Sequence, residues 1–277
     1  MTQTNPQNAK PEPALRSINS PESFVAPCRD LAPSAPLDWL RMGWGDFRRT
    51  PVLSLIWGAF SVALFGAVAA LAWVLGGWVL LISVLSGFIF IAPLMAFALY
   101  AVSRALDAGH HPGLAETLAA IRLPFGNALV FALVLLVIFL LWARAGSMVH
   151  VFFPADTGHE WSGLLTFLAV GSAIGSVFAL VTFAASAFSL PFIANREVDV
   201  VTAVVSSINA VLRNKWTMAV WVVLIVALMA AGVATALLGL AVIIPWLAYA
   251  TWHGYRAALD TSGFKVLPSP HAANGND

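Results

Sequence analysis

The residues best placed to do chemistry in this sequence are its histidines, a run of small polar residues and two prolines. His110 and His111 adjoin in one loop, His150 and His159 share another with Asp156 and Glu160, and His253 stands alone beside an apolar run. A His/carboxylate set could hold a divalent metal, but the second loop has neither HxxxH nor HxxE spacing, and adjacent histidines point apart on a helix. No metal or other cofactor is therefore expected, and no catalytic residue. Gly171 and Gly175 form a GxxxG pattern, with Ser172 and Ser176 one step on and Ser186 further along. Small residues at this spacing let two helix backbones approach closely. The face they form can pack inside the chain, meet a second copy, or line a polar path. Pro93 and Pro245 lie inside apolar runs, where proline kinks a helix and a neighbour must satisfy the freed carbonyl. Their matched positions suggest a cavity between helices.

These residues must be held by elements that live in lipid. Of the 277 residues, 60% are hydrophobic and 10% charged, against about a quarter charged in soluble domains. A net charge of +1 offers no basic stripe to neutralise phosphates, which argues against nucleic acid as a partner. Cys28 is the sole cysteine, so no intramolecular disulfide can form.

A crossing needs about 20 apolar residues. Six runs qualify, at about 52–75, 78–102, 124–143, 161–190, 216–234 and 236–255, the last two separated by a turn near Gly232 to Leu237. The reading is an all-α, polytopic bundle of six transmembrane helices over residues 37–260. Pro-rich residues 1–36 and the stretch 261–277 are expected to be disordered tails. With the N-terminus inside, the cytoplasmic segments hold Arg41, Arg48, Arg49, Arg104, Arg122, Arg196, Arg213, Lys215, Arg256 and Lys265, while Arg144 falls outside. That asymmetry places both termini in the cytoplasm of a bacterial inner membrane. Trp39, Trp44, Trp142, Trp161, Trp216 and Trp252 then fall near the interfaces, as an aromatic belt.

No ionisable side chain falls in the middle of any run, although burying one costs about 2.5–3.5 kcal/mol and usually marks function. A proton- or sodium-coupled carrier normally needs a carboxylate at mid-depth, so that mechanism is disfavoured. Arg104, Arg144, Arg256 and His253 sit at run ends, where long side chains reach headgroups.

A repeat underlies the runs. Pro93 precedes Tyr100 by seven residues and Arg104 by eleven; Pro245 precedes Trp252 by seven and Arg256 by eleven. Pro191 followed by Arg196 is a weaker copy. Arg49 precedes Trp57 by eight residues, as Arg213 precedes Trp221, and Arg122 holds a similar place. The pattern predicts three parallel hairpins, each led by a short amphipathic helix on the cytoplasmic side. Leu37, Leu40, Trp44 and Phe47 mark the first apolar stripe, Leu114, Leu118 and Ile121 the second, and Val201, Val204, Ile208 and Val211 the third. Asp38, Asp46, Glu116 and Asp199 are expected on the wet faces.

The run Trp39-Leu40-Arg41-Met42-Gly43-Trp44-Gly45-Asp46-Phe47, then Arg49-Thr50-Pro51, resembles the start of an uncharacterised family of proteobacterial integral membrane proteins. Pro93, Arg104, Asp107 and the Gly-His loop that follows, and the close at Tyr255-Arg256, fit the same family. The resemblance covers about residues 36–260 and implies no assigned activity. Members are sometimes labelled as similar to the first subunit of cytochrome c oxidase. Such a subunit needs several histidines within its helices, and here only His253 comes near one. Two functions remain. A non-enzymatic scaffold or accessory protein, partnered by the lipid bilayer and by another membrane protein or a second copy, is favoured. A small permease or channel for a neutral or apolar solute is the alternative.

Overall fold

The computed structural model describes residues 24–152 and 161–268. The chain is helical, and among the described residues the only β pairing is two isolated bridges. Four stretches are long and apolar enough to cross a membrane: Pro51–Gly77, Phe125–Met148, Leu168–Asn195 and Lys215–Ala234.

The helices follow the expected order, with informative breaks. Helix α1 is Ala35–Arg49 and α2 is Pro51–Met95, interrupted at Gly77, whose φ of 61° and ψ of −151° suit glycine. The second limb of α2 must fold back, because α3 (Phe97–Asp107) brings Ser103 to Asp46, just ahead of the first limb. The expected run 78–102 is thus two helices, parted at Ala96 shortly after Pro93. Helix α4 is Leu114–Arg122, α5 Phe125–Phe152 and α6 Trp161–Ser186; a second break precedes α7, Ser189–Asn195. Arg144 does not end a helix: α5 carries it, exposed, and runs two turns further. Helices α8 (Val200–Arg213), α9 (Lys215–Ala234) and α10 (Leu240–Ala258) complete the order. The α9–α10 turn falls close to the expected split. It holds Ala236 and Leu237 at positive φ, and the Thr235 hydroxyl accepts from the Gly239 amide at 2.7 Å. Pro245 stays inside an unbroken α10.

The spans and the arginine-bearing ends differ in packing. In the most apolar 18-residue stretch of Pro51–Gly77 only 17% of residues are buried, and likewise in Phe125–Met148, against 61% in Leu168–Asn195, which reaches into the arginine end. Val52, Phe60, Val74 and Leu141 lie open, as lipid-facing side chains do. The arginine end is instead a dense aromatic core of Trp39, Phe188, Phe192, Trp221, Tyr249, Trp252 and Tyr255, all nearly inaccessible. Trp39 stands edge-on to Trp221, ring centroids 5.5 Å apart, and edge-on to Phe188. Such pairs add to area burial because ring edges and faces carry opposite partial charge.

Inside that core α3, α7 and α10 touch one another, and the short helices cap them in rotation: α4 packs on α3, α8 on α7, and α1 on α10. The capping faces follow the expected stripes only in part: Leu40 and Phe47 are buried and Ile121, Val204 and Val211 pack on the core. Helix α1 buries Trp39, Leu40, Gly43, Asp46 and Phe47 while Leu37 and Trp44 stay exposed. Helix α4 buries Thr117 and Ala120 and exposes Leu114 and Leu118; α8 buries Ala203, Ser206 and Ala210 and exposes Val201. Small residues admit close docking, and the large apolar ones left outside suit the boundary between headgroups and acyl chains. Asp46 is buried, not on a wet face as expected.

Parts of the stretches expected to be tails, 1–36 and 261–277, are bonded to the helices. Residues 24–34 form a strap: the Ala26 amide donates to Ser206, the Arg29 amide to the Ala258 carbonyl, and the Leu31 amide to Asn214. Residues 261–267 form a second, in which Glu197 donates to the Lys265 carbonyl and Leu267 to that of Asn195. Composition suggests disorder, but these segments need few apolar contacts because the helix ends supply backbone partners. Residues 1–23, 153–160 and 269–277 lie outside the described set, so the expectations for them, and for Asp156, His159 and Glu160, do too.

Candidate functional site

The residues singled out from sequence do not converge. Gly171 and Gly175 are half-buried and Ser172 and Ser176 exposed; among the described residues nothing lies within 4 Å of a Cβ added at either glycine. Ser186 is buried further along α6 and donates to the Thr182 carbonyl at 2.7 Å, which satisfies it locally. Pro93 lies near the end of the second limb of α2, whereas Pro245 is buried in α10. Close helix contact is made by other glycines. A Cβ at Gly43 would stand 2.6 Å from the Ala250 nitrogen, one at Gly58 would collide with the Ala241 carbonyl, and one at Gly254 would meet Trp39 at 2.9 Å.

The polar groups that do converge lie at the arginine end, around Asp46. Its Oδ2 accepts from Ser103 Oγ at 2.8 Å and faces His253 Nε2 at 2.8 Å, so α1, α3 and α10 meet on one carboxylate. Arg49 Nη1 lies 3.9 Å from the other oxygen. A buried carboxylate persists only when its charge is compensated, and here a hydroxyl and an imidazole bond one oxygen while a guanidinium stands 3.9 Å from the other. Next to it, the Ser54 and Tyr249 hydroxyls lie 2.8 Å apart. Asp107 accepts from Trp252 Nε1 at 2.9 Å and from Arg256 at 3.1 Å, and Asn195 donates to Tyr255 Oη at 2.8 Å.

Serine, aspartate and histidine in contact invite comparison with a nucleophilic triad, but the order is wrong. A triad needs the histidine between serine and carboxylate, to take the hydroxyl proton. Here Asp46 is in the middle and Ser103 gives its proton to the carboxylate, which leaves it no base. Among the described residues no group of three or more His, Cys, Asp or Glu is set to hold a metal ion.

Three arginines tie separate segments of this end together. Arg104 donates to the Ala194 carbonyl at 2.9 Å, Arg196 to the Phe264 carbonyl at 2.8 Å, and Arg256 to Asp107. The expectation that Arg104 reaches headgroups gives way to a half-buried guanidinium fixed on backbone. In the N-terminal strap, burial pushes the Cys28 thiol up, and the hydrogen bond from Arg213 holds Asp30 below the usual carboxylate range. Sequence reasoning missed Asp46, Ser103, Asn195 and Asn214 as anchors. The available signal was a polar residue on the small-residue face of a short helix.

Residues 80–195, from the second limb of α2 through α7, match the model of a family described as a predicted integral membrane protein (DUF2189). The chain is an integral membrane protein. Pro93, Arg104, Asp107 and His110 fall inside the matched stretch, while the Trp39–Pro51 motif precedes it. No curated protein and no solved structure matches the chain.

Proposed function

We propose that the chain crosses the bacterial inner membrane six times, as three parallel hairpins about a common axis with both termini cytoplasmic. There it serves as a non-enzymatic scaffold or accessory subunit. The second limb of α2 and α10 supply the two crossings beyond the four longest apolar stretches. The rotational docking of α4, α8 and α1, and the arginine links that pass from unit to unit, support the parallel arrangement. One observation carries the functional reading. Where α3, α7 and α10 meet, the centre is filled by Phe192, Trp252 and Tyr255 rather than open, and a solute path along the axis would have to pass them.

Native mass spectrometry of the protein extracted from its own membrane tests this. A stoichiometric protein partner supports the scaffold. A lone chain or homo-oligomer carrying a reproducible small-molecule adduct, together with solute flux in proteoliposomes, overturns it in favour of a permease. Topology is checked separately with a membrane-impermeant maleimide, which should leave Cys28 unlabelled in spheroplasts and label it in inverted vesicles.

A further inference from the structure

The two seams made by α1 on α10 and by α4 on α3 are built alike but finished differently. Eight residues after its proline α10 carries His253, and eight after Pro93 α3 carries Ala101. Five residues before Pro51 stands Asp46, and five before Pro124 stands Ala119. The Asp46–His253 contact of the first seam is matched by two methyl groups in the second. A cleft of about 130 Å³ lies beside that second seam, walled by Ala101, Ala105 and Ala120 and bordered by Leu267 of the C-terminal strap; of the two matched alanines only Ala101 lines it. Arg104, His110 and Glu116 supply its polar groups.

We propose that this cleft binds a small monocarboxylate through Arg104. Arg49, Arg213 and Arg256 each have a carboxylate partner, whereas the described partner of Arg104 is the Ala194 carbonyl. A half-buried guanidinium held by a carbonyl keeps donors and charge to offer an anion, and a planar carboxylate matches its fork. Glu116 is held on His110 through its Oε1. The remaining wall is mostly apolar, which favours a short alkyl chain over a strongly hydrated phosphate. The space suits a body of roughly four or five heavy atoms, at ~30 Å³ for each water-sized group. The inference stands whether the chain is a scaffold or a permease, since a protein partner or a solute flux bears on neither Arg104 nor the cleft.

The test is thermal unfolding of the purified full-length protein, followed by tryptophan fluorescence, with sodium propionate, propionamide, inorganic phosphate or sodium chloride at matched ionic strength. Propionate is expected to raise the midpoint saturably by a few degrees, and the other three to leave it within error. Arg104→Gln should abolish the propionate shift. Ala108→Phe should abolish it too by filling the mouth, because Ala108 is exposed and lines the cleft. If Arg104→Gln does not fold, Ala108→Phe decides. The proposal fails if propionate gives no saturable shift, if propionamide or phosphate matches it, or if it survives in a folded Arg104→Gln or in Ala108→Phe.

Discussion

The lipid-facing spans and the arginine end are made from the same kinds of residue but are held by different forces. Along Pro51–Gly77 and Phe125–Met148 most apolar side chains point outward, and taking them from lipid into the protein would gain little, because acyl chains are as apolar as leucine. At the arginine end water competes, so burying Trp39, Trp221 and Trp252 gains the full hydrophobic term and each buried polar atom must find a partner. The fold is consequently specified where the membrane ends. The spans need only be apolar and long enough, while the layer that joins them needs particular residues at particular places.

The sharpest way to break this contrast is to truncate one aromatic in each region. Trp39→Ala should cost about 3–5 kcal/mol, the range for removing a large buried ring, because Trp39 packs on Trp221, Phe188 and the face of Gly254. Trp73→Ala, on an exposed stretch of the first span, should change stability by less than about 0.5 kcal/mol. Reversible unfolding in mixed micelles titrated with denaturing detergent measures both. Equal losses would mean that the spans are packed as specifically as the arginine end.

A smaller effect separates pairing from mere polarity. Asp46→Ala should cost about 3 kcal/mol, the lower part of the range for breaking a buried charged contact, since Ser103 and His253 lose their shared acceptor. His253→Ala should cost less, because Ser103 and Arg49 still serve the carboxylate. A double-mutant cycle should then return a coupling well above zero. Additive losses would mean that His253 and Asp46 merely lie near each other.

Glycines sharpen the comparison along single helices. Gly58→Val should destabilise by about 1–3 kcal/mol through overpacking, because any Cβ there meets the Ala241 carbonyl. Gly175→Val should leave the stability of the single chain within error, since nothing described lies near it. Among the described residues the close contacts are made by Gly43 and Gly58, while a Cβ at Gly171 or Gly175 meets nothing within 4 Å. GxxxG is a statement about one helix, whereas close approach is a property of two, and Gly58 and Gly43 gain their role from Ala241 and Ala250, which are far off in sequence. What could be read was what depends on local composition: the apolar runs, the short helices that lead the odd ones, the turn near Thr235 and the spacing of proline, aromatic and arginine. What could not be read was which face of a short helix docks. On α4 the apolar stripe divides, with Leu114 and Leu118 exposed and Ile121 packed on the core, a division that periodicity within one helix does not show. Asp46 was misread for the same reason: a carboxylate on an amphipathic helix is taken for the wet face unless its partners on α3 and α10 are known.

The smallest expected effect is at the edge of the arginine end, where the N-terminal strap is held from solvent. Arg213 Nε bonds Asp30 at 2.7 Å, and that bond keeps the Asp30 carboxyl below its ordinary value. The docked state therefore binds its proton less readily than the free strap, whose carboxyl titrates near pH ~3.9. The Asp30 contribution is fully present above that value and is lost as pH falls through the depressed one. Both partners are exposed, so salt should weaken it as well. Cys28 reports the event, since it lies two residues away with its thiol half-buried against Asn214. Its rate of exchange with an acid-active pyridyl disulfide should hold steady relative to a model thiol from pH 7 to about pH 4, then climb. Asp30→Asn should bring that higher relative rate to pH 7. If Asp30→Asn leaves the rate at pH 7 unchanged, the strap is held by its other bonds, to Ser206, Ala258, Asn214, Asp260 and Thr217. The boundary of the specified region would then lie at those bonds, and the surface ion pair would fall outside it.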